Sequence, residues 1–282
     1  METTTVQVRR TRPLSYAIGM FGTSIPINMF KTYAAIFYVD RLSYITTKQF
    51  SLILLLYTFL DAIDNPVYGF LSDRTRSKWG RRRPWLIIGA PLLVVCFILF
   101  YNPPGSLGPT TAFPYIMLMY MLTGTLDSLI NSNYGALFPE LFRTEAERAK
   151  TNAMRQIFQF VAMIISIALT PVVTDAMRKL YEYVAWVNTL PLTPAIINTV
   201  GYSYTAFVYG ALAIGVIWFM TLNCHENLAL QEKPKPQLWK TIVTIASNPK
   251  FWFYGITNAA FFAGLGLVQS GVPFYVKYHL LG

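Results

Sequence analysis

Asp61, Asp64 and Asn65 stand together in the run DAIDNP, inside an apolar stretch of a 282-residue chain. Asp127 and Asn131 lie one helical turn apart in a second apolar stretch, and Arg155, Gln156 and Gln159 in a third. A charged group near the centre of a membrane helix costs about 2.5–3.5 kcal/mol. An aspartate there is too short to reach water, so function outweighs structural pairing as the reason for keeping it. Paired carboxylates with amides beside them can bind a cation or carry a proton. Asp, Asn, Gln and Arg together can bond the hydroxyls of a sugar. Pro66 follows the pair and leaves the carbonyl of Ala62 without its helical donor. Carbonyl plus carboxylate oxygens suit Na⁺ or a proton relay near the membrane midplane, and an ordinary proline kink accounts for the same residue equally well.

These groups need apolar helices to hold them, and composition supplies helices of that kind. Hydrophobic residues make up 54% of the chain and charged residues only 13%, against about 25% charged in soluble domains. Apolar runs of roughly 20 residues, long enough to span a bilayer, recur along the length. The expected fold is an all-α membrane protein with spans near 14–39, 48–72, 84–103, 112–139, 151–174, 201–224 and 250–276. A longer outside loop is expected over about 175–200. A transmembrane barrel would show alternating strands of about 10 residues instead.

The net charge of +10 reflects topology. With the N-terminus inside, sixteen lysines and arginines fall on the inner side and five on the outer, a strong positive-inside bias. The expected location is the plasma membrane, multi-pass, with a cytoplasmic N-terminus. Nucleic acid is not an expected partner, because the basic run Arg74–Arg83 joins two spans by a short loop. The basic N-terminus resembles a signal peptide, but the apolar stretch after it is too long and contains Lys31, so it reads as an uncleaved first span. Cys96 and Cys224 fall at different depths and read as buried thiols. The two histidines, His225 and His279, lie on opposite sides, and no metal spacing or nucleophile–base motif appears; an enzyme is not expected.

Helical spacing places Tyr57, Asp61, Asp64, Asn65 and Tyr68 on one face of the second span. Thr123, Asp127, Asn131 and Tyr134 do the same on the fourth, Asn152, Arg155, Gln156 and Gln159 on the fifth, and Ser24, Asn28 and Lys31 on the first. A single stripe is interhelical glue, whereas four stripes on four helices point to a shared hydrated cavity. For Lys31 and Arg155, snorkelling or pairing is as good an account. For each aromatic taken singly, plain packing is the better one.

The stretches DAIDNP, GFLSDRTRSKWGRRRPW, GALFPEL and RTEAERAKTNAMRQIF resemble the glycoside–pentoside–hexuronide:cation symporter family of the major facilitator superfamily, over about residues 14–274. The resemblance implies two six-helix bundles, alternating access, and sugar uptake driven by a cation such as Na⁺ or H⁺, with no other cofactor. It implies a cation site at Asp61, Asp64 and Asn65, where the family's second aspartate is replaced by Asn65 and Asp64 stands one position earlier. It implies a sugar site from Thr23, Asp61, Asp127, Asn131, Arg155 and Gln159. Asn131 occupies a position that can hold a sugar-binding aspartate, Arg155 matches a cavity arginine, and Thr23 stands where a lysine occurs. Asp73, Arg74, Arg81 and Arg82 would form a cytoplasmic gate, with Asp73 pairing with Arg74 or nearby cations and with a helix N-terminus.

The implied organisation is a basic N-terminus (1–13), an N-terminal six-helix bundle (14–224), a linker (225–249) carrying a short surface helix around Trp239–Ile245, and one helix (250–282) of an incomplete second bundle. The chain ends near the close of its seventh span, so a fragment, a truncated product or half of a split carrier is expected. A separate chain supplying the remaining helices is then a candidate partner. The competing expectations are a carrier of lysolipids or other amphiphiles, and a membrane fragment that does not transport.

Overall fold

The computed structural model describes residues 11–188, 193–226 and 243–275. Among these, every regular element is helical. The first span is α1 (Pro13–Ala17) and α2 (Gly19–Ala35), offset at Ile18 and closed by a π-helical turn, Ile36–Arg41. Then follow α3 (Thr47–Arg74), α4 (Arg83–Tyr101), α5 (Pro109–Leu141) and α6 (Glu145–Ile164). A second π turn, Ile165–Leu169, leads into α7 (Thr170–Asn188), followed by α8 (Pro194–Asn223) and α9 (Pro249–Tyr275). The chain divides into two compact units, Met1–Lys233 and Pro234–Gly282; α1–α8 belong to the first and α9 to the second.

Helix starts follow side-chain chemistry. Thr46 accepts from the Gln49 amide at 3.3 Å while Gln49 Oε1 accepts from the Thr46 amide at 2.8 Å, a reciprocal cap for α3. Thr144 and Thr193 accept from amides three residues on and open α6 and α8. Among the described residues, five helical stretches are long and apolar enough to cross a membrane: 47–74, 83–101, 110–141, 145–188 and 196–223.

Two departures from the expected spans appear. The fifth span does not stop near 174: α7 continues to Asn188, and most of the anticipated loop over 175–200 is helix. Asp175 pairs with Arg178 at 2.6 Å and with Lys179 at 2.7 Å, at helical i,i+3 and i,i+4 spacings, which stabilise a polar continuation of the helix. Of the anticipated surface helix in the linker, Val243 and Ile245 lie in a short helical turn at 243–246, whereas Trp239 and Ile242 lie outside the described residues.

The first unit packs around α2, α4, α5 and α8. One apolar cluster joins Phe30, Phe37, Phe97, Phe100, Tyr101 and Tyr120; a second joins Tyr16, Leu86, Leu129, Tyr134, Ile217 and Met220. Buried hydroxyls bond across helices. Tyr101 donates to the Met29 carbonyl at 3.1 Å, Tyr38 donates to the Phe100 carbonyl, and Ser203 donates to the Tyr101 carbonyl at 2.7 Å. The widened ladder of the second π turn is met by Tyr33, whose hydroxyl donates to the Ile167 carbonyl at 2.5 Å. Both cysteines are free thiols.

α3 and the α6–α7 helix are less enclosed than the rest. The most apolar stretch of each is 22% buried, against 44% for α4, α5 and α8. α3 nevertheless packs closely along α5, and Gly124 makes that approach possible. A Cβ there would lie 2.2 Å from the Tyr57 ring. Gly124→Ala therefore has to push Tyr57 and α3 aside, at an expected cost of about 1–3 kcal/mol from overpacking, read as a lower melting temperature. An unchanged melting temperature would contradict this packing.

Candidate functional site

The polar groups inside the first unit converge on α5. Along its contact with α3, three side-chain pairs form a ladder. Ser128 donates to Asp61 Oδ1 at 2.8 Å, Thr125 donates to Asp64 Oδ2 at 2.5 Å, and Ser132 donates to Asn65 Oδ1 at 2.8 Å. Asp61–Ser128 and Asn65–Ser132 advance by one turn on both helices together, as parallel neighbours must. Tyr57 adds a 3.3 Å bond to Asp61 Oδ1, and Asn65 Nδ2 donates to the backbone carbonyl of Asp61 at 3.2 Å. Asp64 is buried, and its Oδ1 has no hydrogen-bond partner. Pro66 lies within α3 immediately after the ladder. Two carboxylates, an amide oxygen and four hydroxyls thus gather beside Pro66, which has no amide hydrogen to offer the Ala62 carbonyl.

A second group joins α2 to α5. Lys31 Nζ lies 3.7 Å from Asp127 Oδ2, and Asn131 Nδ2 donates to Asp127 Oδ1 at 2.5 Å. Asp127 is buried, whereas the Lys31 side chain is 52% exposed. The cation therefore reaches out of the packed bundle and the anion beneath it stays enclosed. Asp127 and Ser128 are neighbours in sequence, so α5 carries this group and the ladder side by side.

The third group is built on α6. The Arg155 guanidinium sits over the rings of Tyr134, Phe138 and Tyr16, 5.0, 5.2 and 5.7 Å from their centroids, with Met20 Sδ 4.0 Å from one of its nitrogens. Cation–π attraction holds it there without a carboxylate, and its buried Nε has no partner. Gln159, one turn along α6, is half-buried. Thr23 is only 1% exposed and donates its hydroxyl back to the Met20 carbonyl at 3.3 Å.

Around the basic loop between α3 and α4 the charges form a closed cluster. Asp73 Oδ1 takes Arg82 at 2.9 Å and Arg81 at 3.6 Å; Glu140 Oε1 takes Arg81 at 2.7 Å and Arg82 at 3.0 Å. Arg74 stays outside the cluster. Its guanidinium stacks on Phe70 at 3.9 Å, one turn back on the same helix, and Asp73 pairs with Arg81 and Arg82 instead. A carboxylate does sit at a helix N-terminus, but it is that of Glu226, not Asp73. Glu226 accepts from the backbone amides of Arg81 at 2.7 Å, Arg82 at 3.1 Å and Arg83 at 2.8 Å, where α4 begins. Free amides and the helix dipole both favour an anion in that place.

Gly80 makes room for this contact. Its φ is +111°, and a Cβ would meet Glu226 Cδ at 2.5 Å. Gly80→Ala is expected to cost about 2–4 kcal/mol from backbone strain and overlap. In the double variant with Glu226→Ala the overlap disappears, so the two losses should fall short of additive by about 1 kcal/mol or more. Thermal melting of the single and double variants checks this, and strict additivity would contradict the contact.

Sequence reasoning missed Thr125, Ser128 and Ser132, although their three- and four-residue spacing marks one face of α5. It missed Glu140, an acid at the end of an apolar run. It also missed Glu226, which lies far along the chain from the loop it closes and has no local signature. Among the described residues, no group of three or more His, Cys, Asp or Glu side chains gathers as a metal site.

A family model described as "MFS/sugar transport protein" matches residues 15–281. Among curated proteins, an uncharacterized symporter of Synechocystis sp. is 34% identical over 168 residues, covering 56% of this chain and 30% of the relative. The isoprimeverose transporter of Lactiplantibacillus pentosus is 23% identical over 269 residues, covering 94% and 52%. A lactose permease of Lactobacillus delbrueckii subsp. bulgaricus is 22% identical over 286 residues, covering 95% and 42%. The chain spans about half or less of the length of these relatives. They are transporters and not enzymes, and their family is one of multi-pass membrane proteins. With residues 15–281 matched and the described residues of both units helical, the chain belongs to the MFS/sugar transport protein family, the glycoside–pentoside–hexuronide:cation symporter branch of the major facilitator superfamily.

Proposed function

We propose that this chain forms the cation-binding half of a secondary carrier that moves a sugar together with Na⁺ or H⁺ by alternating access. The observation that supports this reading best is the α3–α5 ladder. It holds one buried carboxylate, Asp64, and one half-buried carboxylate, Asp61, against α5 and leaves one buried oxygen, Asp64 Oδ1, without a hydrogen-bond partner. A bare carboxylate oxygen in low dielectric is costly, and a bound cation or proton relieves that cost.

In this reading Asp61, Asp64 and Asn65 receive the coupling ion as cargo. Asp127, Asn131, Arg155 and Gln159, with Asp61 shared between both sites, present acceptors and donors to sugar hydroxyls. The aromatic cage around Arg155 orients that cation without neutralising it, and the Asp127 carboxylate 3.7 Å away orients the exposed Lys31. Neutralising the carboxylates removes the charge that opposes closure, and the bundle then rocks against a second six-helix half, from this or a separate chain. The Asp73–Arg81–Arg82–Glu140 cluster latches the basic side, which the positive-inside rule makes cytoplasmic. The host membrane is the plasma membrane, with the N-terminus inside.

The test is counterflow and uptake of labelled glycosides in proteoliposomes holding the carrier with both halves present. One arm carries a Na⁺ gradient, one a pH gradient and one neither. Exchange of at least one glycoside, with uphill uptake in one ion arm, is expected. No exchange with any glycoside in any arm would overturn the proposal.

A further inference from the structure

At the basic end of the first unit, a groove of about 370 Å³ is lined by Trp79, Arg83, Ile87, Trp218 and Leu222. Its walls are almost wholly apolar except for the guanidinium at its edge. Both indoles are open to the surroundings, Trp79 at 58% and Trp218 at 42% exposure, and Leu222 and the adjoining Ile88 are 62% exposed. Trp218 Nε1 is already bound to the Ile87 carbonyl at 3.1 Å, so its ring offers an apolar face and no free donor. Exposed tryptophans at the end of a membrane helix mark the level of lipid headgroups.

Arg83 differs from its two neighbours. Arg81 and Arg82 hold the carboxylates of Asp73 and Glu140, whereas the bonds of the Arg83 side chain run to neutral carbonyls, Thr221 at 2.9 Å and Trp79 at 3.5 Å. The Glu226 carboxylate is engaged with the backbone amides of residues 81–83. The groove is therefore an apolar slot with a fixed cation at its mouth, beside a loop of six basic residues from Arg74 to Arg83 that contains no acid. The linker that follows Glu226 is itself basic, with Lys233, Lys235 and Lys240 against Glu232, and so is a poor electrostatic match for it.

We infer that this groove seats one anionic phospholipid of the leaflet on the basic side, its phosphate on Arg83 and the start of an acyl chain between Trp79, Ile87, Trp218 and Leu222. The inference rests on membrane placement and positive-inside orientation and is independent of transport, so either proposal can fail alone.

The test is native mass spectrometry of the purified full chain in detergent, offered equimolar phosphatidylglycerol and phosphatidylcholine with identical acyl chains. One phosphatidylglycerol should be retained in preference to phosphatidylcholine by about fivefold, the increment expected for one basic side chain at a lipid surface. Arg83→Gln should bring the ratio close to unity. Ile87→Trp, which fills the slot and leaves Arg83 in place, should do the same. If Arg83→Gln does not fold, Arg83→Lys, which keeps the charge, should keep the preference, and Ile87→Trp decides. Equal retention of both lipids by the unmodified chain, as when the chain's own linker covers the groove, would overturn the inference. So would a preference that survives Ile87→Trp, because that is attraction to the basic loop alone.

Discussion

Asp61→Asn is expected to abolish uphill sugar accumulation while retaining sugar exchange across the membrane, at weaker sugar affinity because Asp61 also belongs to the proposed sugar site. Asparagine keeps an oxygen that can accept from Ser128 and Tyr57, the bonds Asp61 makes at 2.8 and 3.3 Å, so the ladder and the helix packing should survive. The negative charge that attracts the coupling ion is lost. One cation moving through 100 mV releases about 2.3 kcal/mol, equivalent to roughly 50-fold accumulation of its partner. The variant should lose that whole factor and only equilibrate sugar. Concentration ratios in energised vesicles, compared with counterflow in de-energised ones, separate the two effects. Accumulation at the level of the unmodified carrier would remove Asp61 from the coupling site.

The second large effect is expected from Arg82→Ala. Arg82 bridges Asp73 at 2.9 Å and Glu140 at 3.0 Å, with side-chain exposures of 10, 31 and 13% for the three groups. Removing one member of a buried ion pair costs about 3–5 kcal/mol, because the remaining charges lose their counterion. Partial exposure of Asp73, and the retained bonds from Arg81, lower the expected loss here to about 2–4 kcal/mol. For a helical unit of this size the melting temperature should fall by roughly 5–12 °C. Arg74→Ala is the matched control: it stacks on Phe70 outside the cluster and should shift melting by little. Equal effects of the two variants would contradict the assignment of the latch.

Much of this arrangement could be read in the chain. Apolar length and the positions of the basic loops defined the spans, because membrane insertion constrains both directly. The acids of α3 and α5 stood out because burying them is costly. The groups they bond to did not stand out, since Thr125, Ser128 and Ser132 are ordinary residues in a membrane helix and only their contact with α3 gives them a role. The part of α7 after residue 174 reads as loop because its Asp175, Arg178, Lys179 and Glu182 lower hydropathy, although the same charges at helical spacing extend the helix beyond the apolar stretch. A cluster of Asp73 with Arg81 and Arg82 is legible in the sequence, whereas the part of Glu140 and the exclusion of Arg74 are not. Helical geometry sends Arg74 round the helix from Asp73, and the chain has to turn at Gly80 before Arg81 and Arg82 can reach back. Glu226 closes that turn from the far end of the unit, a contact that only tertiary packing brings about.

The central claim is that the α3–α5 ladder faces water inside the protein and not lipid. Cysteine labelling tests it most directly, in a background where Cys96 and Cys224 are replaced by alanine. Asn65→Cys lies on the ladder, and Ile63→Cys lies about half a turn away on the same helix. The account predicts that a charged, membrane-impermeant thiol reagent modifies Asn65→Cys rapidly, is slowed by bound sugar, and leaves Ile63→Cys unmodified. Rapid modification at Ile63→Cys with none at Asn65→Cys would contradict it.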